Sequence, residues 1–287
     1  MRFLFIRHGE SVDNVAGVYA GSRDSPLTAH GVLQARRLAP HLAESVDAES
    51  PPLAHVFSST LRRAVKTAQA ICDAHNEERR GDGHHRLPVV QVPDLRERHF
   101  GSREGVSFRS GAAAPAAPET RTGHDGAETT VAMKRRADAF LDDYIVPLLS
   151  CDADEPVSCA VVAHGIILGV LFRALVDRLP RGTVALPVEQ QRNGLVVDGA
   201  GDGAPPFVLP SWSNTGYLDF VVCSAPVPLT PCLDSSLPLL LSIRRVNCTD
   251  HLRGLRKTRG GIGSAAFDER QRTVDSFFSR PPPPPPP

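Results

Sequence analysis

Phe3-Leu4-Phe5-Ile6-Arg7-His8-Gly9-Glu10 is the stretch on which the reading of this chain turns. Phe3 to Ile6 is a short apolar run with strand-forming side chains and no helical spacing, as in a strand buried on both faces of a parallel sheet. Gly9 is expected to let the backbone turn sharply where that strand ends. Ligands of open α/β sheets bind at the carboxyl ends of the strands, and His8 falls there with Arg7 beside it. Four residues are a short pattern, and a strand-end His next to an Arg is also met as an ordinary surface pair.

Three further segments give the tetrad a context. Ser58-Ser59-Thr60-Leu61-Arg62-Arg63-Ala64 follows the apolar run Ala54 to Phe57 and again delivers an Arg past a strand end. Val161-Val162-Ala163-His164-Gly165 repeats the strand-His-Gly arrangement late in the chain. Between them, Leu95-Arg96-Glu97-Arg98-His99-Phe100-Gly101 supplies a carboxylate after the strand-like Val89 to Val92.

Together these segments resemble the histidine phosphatase superfamily, with its phosphoglycerate mutase-like fold. The resemblance rests on Arg7-His8-Gly9-Glu10-Ser11 with Asn14, Gly21 before Asp24-Ser25-Pro26-Leu27-Thr28, and Ser58-Ser59 with Arg62-Ala64 and Thr67-Ala68. Glu97 with Phe100-Gly101 and finally His164-Gly165 complete it, in the family's order. It spans residues 1–225, broken by insertions, and implies a three-layer α/β/α sandwich. It also implies that His8 is the nucleophile, that Arg7, Arg62 and His164 form the phosphate pocket, that Glu97 is the proton donor, and that no metal or cofactor is needed. Asn14, Gly21 and Ser22 match positions that line the substrate pocket in relatives, although residues of these types also simply shape a loop.

The residue types suit that chemistry. A neutral imidazole can attack a phosphomonoester and divide one hard transfer into two easier ones. An ordinary histidine pKa of about 6.5 leaves it largely neutral at pH 7. The transferred group carries its charge on its outer oxygens, so donors with fixed positive charge are required around it. A guanidinium forks onto two such oxygens, and a protonated His164 would add a further charged donor. The leaving oxygen needs a proton, for which Glu97 is placed.

Strand and helix alternate along the chain, which favours a mostly parallel sheet covered on both faces. Val32, Ala35, Ala39 and Leu42 line one face of a helix after Thr28. Leu61, Ala64, Val65, Ala68 and Ile71 do so after Thr60, and both threonines read as N-caps. Further helices are expected from Glu128 to Leu149 and after Gly165. Tyr217 to Val222 and Leu237 to Val246 are expected to form an antiparallel edge. The domain is read as residues 1–250, with insertions near 107–125 and 179–215. His99 reads as a pocket wall, and His84-His85 as a solvated turn rather than a metal site.

Thirty-two basic residues balance thirty-two acidic ones. No whole-surface field therefore favours nucleic acid or an anionic membrane. The 287 residues, 41% of them hydrophobic, allow a sizeable core. Six scattered cysteines show no metal or disulfide spacing. No signal peptide or membrane span is read, so a reducing compartment is expected, cytoplasmic with a nuclear location open.

Residues 251–287 read as a flexible tail. Within 271–278, Gln271, Val274, Phe277 and Phe278 resemble the box by which replication and repair proteins bind the sliding clamp PCNA. One helical turn would place the three apolar side chains together as a plug for an apolar pocket, unless the same turn docks on its own domain. Pro281 to Pro287 reads as an extended polyproline end. The expected activity is hydrolysis of a small phosphorylated substrate or a phosphoprotein. A phosphoglycerate-type mutase and a noncatalytic adaptor tethered by the tail are the alternatives.

Overall fold

The computed structural model describes residues 1–44, 51–80, 86–108, 126–150, 156–180, 183–185, 211–224, 239–258 and 261–268. The clamp-like segment 271–278, the proline end, His84-His85 and most of both insertions lie outside them.

Seven strands form one sheet in the order β3-β2-β4-β1-β6-β7-β5. Its parallel part comprises β1 (Arg2–Arg7), β2 (Leu53–Ser59), β3 (Val89–Val92) and β4 (Ser158–Ala163). β6 (Tyr217–Ser224) runs antiparallel to β1, and β7 (Leu239–Cys248) runs antiparallel to β6. The two-residue β5 (Val184–Ala185) closes the edge beside β7. The sandwich with an antiparallel edge is therefore the one expected.

Strand pleat divides the core. Phe3 and Phe5 point into a cluster with Phe140, Leu168, Phe172 and Phe220, whereas Leu4 and Ile6 point into one with Leu38, Ala64, Ala68 and Ile71. The first layer holds Thr130–Phe140 (α4) and Gly165–Val176 (α6). α4 runs through a π-helical turn, Leu141–Ile145, into α5 (Val146–Ser150). The opposite layer holds α2 (Ala29–Glu44) and α3 (Arg62–Glu78), after the short α1 (Val12–Ala16).

Two local expectations are corrected. Gly9 does not take a left-handed conformation; it is needed because a Cβ there would meet the Gly31 carbonyl oxygen at 2.6 Å. Gly31 in turn would place a Cβ 2.0 Å from the Glu10 oxygen, so α2 starts against the bare backbone of the tetrad. Thr28 does cap α2, accepting from the Gly31 N–H at 3.0 Å. Thr60 does not cap α3, whose N-cap is Leu61 without a side-chain bond. The Arg62 N–H is satisfied instead by Asp24 Oδ1 at 2.7 Å.

The chain does not leave the domain at residue 250. A 3₁₀ turn, Asp250–Leu252, packs on α2. Residues 265–267 are hydrogen-bonded to Leu27 and Ala29, through Ala29 N–H to the Ala265 oxygen and Phe267 N–H to the Leu27 oxygen, each at 3.0 Å. The expected tail boundary thus falls at least eighteen residues too early, since 268 is still described beside the domain.

Candidate active site

Register brings the two histidines together. Arg7 pairs with Ala163 across β1 and β4, and the His8 N–H continues the ladder to the Ala163 oxygen at 3.0 Å. His8 and His164 are therefore adjacent residues at two neighbouring strand ends, with ring centroids 5.0 Å apart. β2 ends beside them at Ser59, whose Oγ lies 2.9 Å from His164 Nε2.

The arginine between the histidines is Arg63, not Arg62. Arg63 is buried, and its Nε–H is shared between His8 Nε2 at 3.3 Å and His164 Nδ1 at 3.2 Å. Its two terminal nitrogens donate to the carbonyls of Arg23 at 2.6 Å and Gly21 at 2.8 Å, which hold the fork in place. Arg62 is exposed one position back. The helix period decides this: Arg62 shares its stripe with the exposed Lys66, Gln69 and Asp73, whereas Arg63 lies over the buried Thr67.

These contacts set both tautomers. His8 Nδ1–H donates to the Gly9 oxygen at 2.6 Å, leaving Nε2 as the acceptor facing Arg63. His164 accepts at Nδ1, so its Nε2–H donates to Ser59. Burial drives both histidines well below the ordinary pKa, and the Arg63 charge adds to the effect. His164 is thus a neutral acceptor in this state, not the protonated donor expected. Burial pulls the Arg63 guanidinium down to about 10, against the carboxylates of Glu97, Asp24 and Asp13, so it stays charged at neutral pH. Arg7 is lowered by burial and raised by Glu97; it donates through Nη1 to the Trp212 carbonyl, and its buried Nε–H has no partner.

Glu97 closes the site from the other side. Oε1 accepts from the backbone N–H groups of Arg98 at 2.9 Å and Ile167 at 3.2 Å, and Oε2 from that of Ile166 at 3.1 Å. It therefore caps the start of α6, directly after His164.

The remaining residues divide. Gly21 is at φ +51°, where a Cβ would strike Glu104 Oε1 at 2.2 Å, and its carbonyl serves Arg63. Ser22 gives its hydroxyl to Glu104 and its N–H to Glu104 Oε1 at 2.7 Å. His99 contacts the same oxygen at 2.8 Å, a rim role that matches a pocket wall. Asn14 caps α1 through the Ser11 capping box, and its Oδ1 accepts from Asn214 Nδ2 at 3.0 Å. Ser58 is buried and donates to the Ser59 oxygen. Asn214 and Thr215 reach the nucleophile backbone: Asn214 Nδ2 donates to the His8 oxygen at 3.1 Å, and the Thr215 N–H to the Arg7 and His8 oxygens at 3.0 and 3.2 Å. No cluster of three metal-binding side chains occurs among the described residues, and none of their helices is long and apolar enough to cross a membrane.

An α/β sandwich with two neutral histidines and two buried guanidiniums at its parallel strand ends defines an anion-handling protein of the phosphoglycerate mutase-like class. The chain belongs to the histidine phosphatase superfamily, whose branch 1 model matches residues 3–196. A Schizosaccharomyces pombe protein named as a probable phosphatase is 30% identical over 96% of this chain and 79% of its own length. A Yersinia enterocolitica protein named as a probable phosphoglycerate mutase is 30% identical over 71% of this chain and 94% of its own. Among solved structures, a mycobacterial glucosyl-3-phosphoglycerate phosphatase is 25% identical with a TM-score of 0.53, covering 76% of this chain and 89% of that one.

Proposed function

We propose that the protein is a phosphomonoesterase that works through a phosphohistidine on His8. The observation that carries this reading is the shared Arg63 Nε–H: a charged donor stands between the free lone pair of a neutral imidazole and a second histidine. Entry of a phosphate would exchange that contact for guanidinium-oxygen bonds, with the unpartnered Arg7 Nε–H beside it. His8 Nε2 then forms the P–N bond as the ester P–O bond breaks, and the leaving oxygen takes a proton from Glu97. In the second step water attacks phosphorus, the P–N bond breaks, and Glu97 takes the proton back from that water. This role needs a Glu97 oxygen to turn from the α6 backbone toward the substrate. Ser22, Asn14 and Gly21 are assigned to the pocket wall, acting through Glu104, Asn214 and Arg63.

The test is trapping of an acid-labile, base-stable phosphoenzyme with a phosphomonoester. His8→Ala is expected to abolish it and to lower turnover by about 10⁴-fold or more. Trapping that survives in His8→Ala would overturn the reading. The mutase is kept as the second reading because of the Yersinia relative; positional transfer on phosphoglycerate in the same assay would favour it. The tail 271–278 is proposed to bind the sliding clamp. Titration of a 265–280 peptide against the clamp is expected to saturate, and to fail once Phe277→Ala and Phe278→Ala are both present. Equal binding by that double variant would reject the plug.

A further inference from the structure

The matched family region ends at residue 196, yet the nucleophile is held from beyond it. Thr215 sits at φ +56°, a left-handed conformation that is unfavourable for a β-branched side chain. That conformation turns its single N–H toward both the Arg7 and His8 carbonyl oxygens. Its hydroxyl donates its one proton to the Asn214 oxygen at 2.7 Å and lies 2.8 Å from His251 Nε2. With that proton spent, His251 must donate from Nε2, which leaves Nδ1 as a bare lone pair; Nδ1 is indeed buried without a partner. His251 itself is only 7% exposed, and its backbone turn is tied to α2 where Arg37 Nη1 donates to the Arg253 carbonyl at 3.0 Å. A chain of contacts therefore runs from α2 through His251 and Thr215 to the peptide units that carry Arg7 and His8.

The same C-terminal segment reaches the far side of the tetrad. Lys257 Nζ donates to both Glu10 oxygens at 2.8 and 2.9 Å, and Thr28 Oγ1 donates to Oε1 at 2.8 Å. Thr28 is in turn bridged to Ala266. The loop that presents the nucleophile is thus gripped at both ends by residues that follow β7.

We infer that His251, acting through Thr215, is a positioning residue for the His8 nucleophile. This rests on the phosphohistidine reading above. The loss of the Nε2–H donor frees Thr215 to leave its left-handed conformation and lets the His8 peptide shift, while substrate contacts to Arg63 and Arg7 stay. A nucleophile displaced by a fraction of an ångström lowers the chemical step far more than binding.

The experiment compares His251→Leu, His251→Gln, Thr215→Val and the double variant His251→Leu/Thr215→Val in the full chain. Glutamine keeps an N–H near the position of Nε2. The rate of phosphoenzyme formation is expected to fall about ten- to a hundredfold in His251→Leu and Thr215→Val, with KM held, and to recover in His251→Gln. The double variant is expected to be no worse than either single one, since both break the same contact. Equal losses in His251→Leu and His251→Gln, or losses that multiply in the double variant, would overturn the assignment. Orthovanadate titration, followed by the ¹⁵N shifts of the His8 ring, reads the geometry without turnover. A perturbed His8 Nε2 in His251→Leu supports positioning even if the native protein hydrolyses nothing, an outcome that would instead defeat the phosphatase reading. Unperturbed shifts there would reject the positioning role.

Discussion

The strand-end site and the C-terminal brace behind it are built by different rules. His8 and His164 meet because β1 and β4 are parallel neighbours in register, and Arg63 joins them because helix α3 starts where β2 ends. The brace depends on contacts such as Thr215 to His251 and Glu10 to Lys257, between segments with no shared ladder. The first arrangement follows from backbone order, which secondary structure imposes cheaply and repeatedly. The second follows from individual side chains and can be removed one bond at a time. Changes in the site should therefore abolish function at nearly intact stability, and changes in the brace should scale it.

The largest effect after loss of His8 should separate two adjacent arginines. Arg63→Met is expected to lower turnover by about 10²- to 10³-fold, the worth of one preorganised charged donor. Arg62→Ala is expected to stay within about twofold, as for other exposed sites. Steady-state kinetics on both variants checks this, and the reverse order would place the phosphate on the outer stripe of α3.

A smaller effect concerns pH and stability. Burial, with His41 adding, lowers His251 to about 4 from its ordinary 6.5. The unfolded chain then binds a proton below pH 6.5 that the folded chain refuses until about pH 4. Stability falls with falling pH across that window, by up to about 3 kcal/mol from this group. The fall is complete once pH passes below the folded value. His8 and His164, lowered in the same direction, add to the slope. Urea unfolding of the native protein between pH 7 and 4 should show the decline, and His251→Leu should flatten part of it. An unchanged slope in that variant would mean that His251 is charged in the fold.

The smallest effect belongs to the outer arm of the brace. Lys257 is partly exposed, so Lys257→Met is expected to cost about 0.5–1 kcal/mol, less at high salt. Thermal melts at low and high ionic strength test this. A much larger loss would show that the strap, not the sheet register, holds Glu10.

What could be read in the sequence follows the same division. β1, β4, both histidines and the alternation of strands and helices were legible because apolar runs and their ends are local signals. Arg62 was mistaken for Arg63 although the helical stripe was already present: Lys66, Gln69 and Asp73 mark the exposed side of α3 and Thr67 the buried one. Gly9 was legible as a glycine requirement, but its cause, the approach of Gly31, needs α2 in place. Asn214 and Thr215 could be noticed only as a short match, because their partners Arg7 and His8 lie about two hundred positions earlier. His251 carried no signal, since a lone histidine after a strand has no periodicity to betray an inward direction.

The shared Arg63 Nε–H has a consequence for the end of the reaction cycle. In its resting form the site is its own competitor: the donor that greets a phosphate must first let go of two imidazoles, and it regains them when the phosphate departs. Every affinity measured for an anion here is an exchange of partners rather than a gain of them. Free inorganic phosphate, which offers little beyond those contacts, should be a feeble inhibitor, and a substrate must owe its hold to whatever it touches outside the cradle.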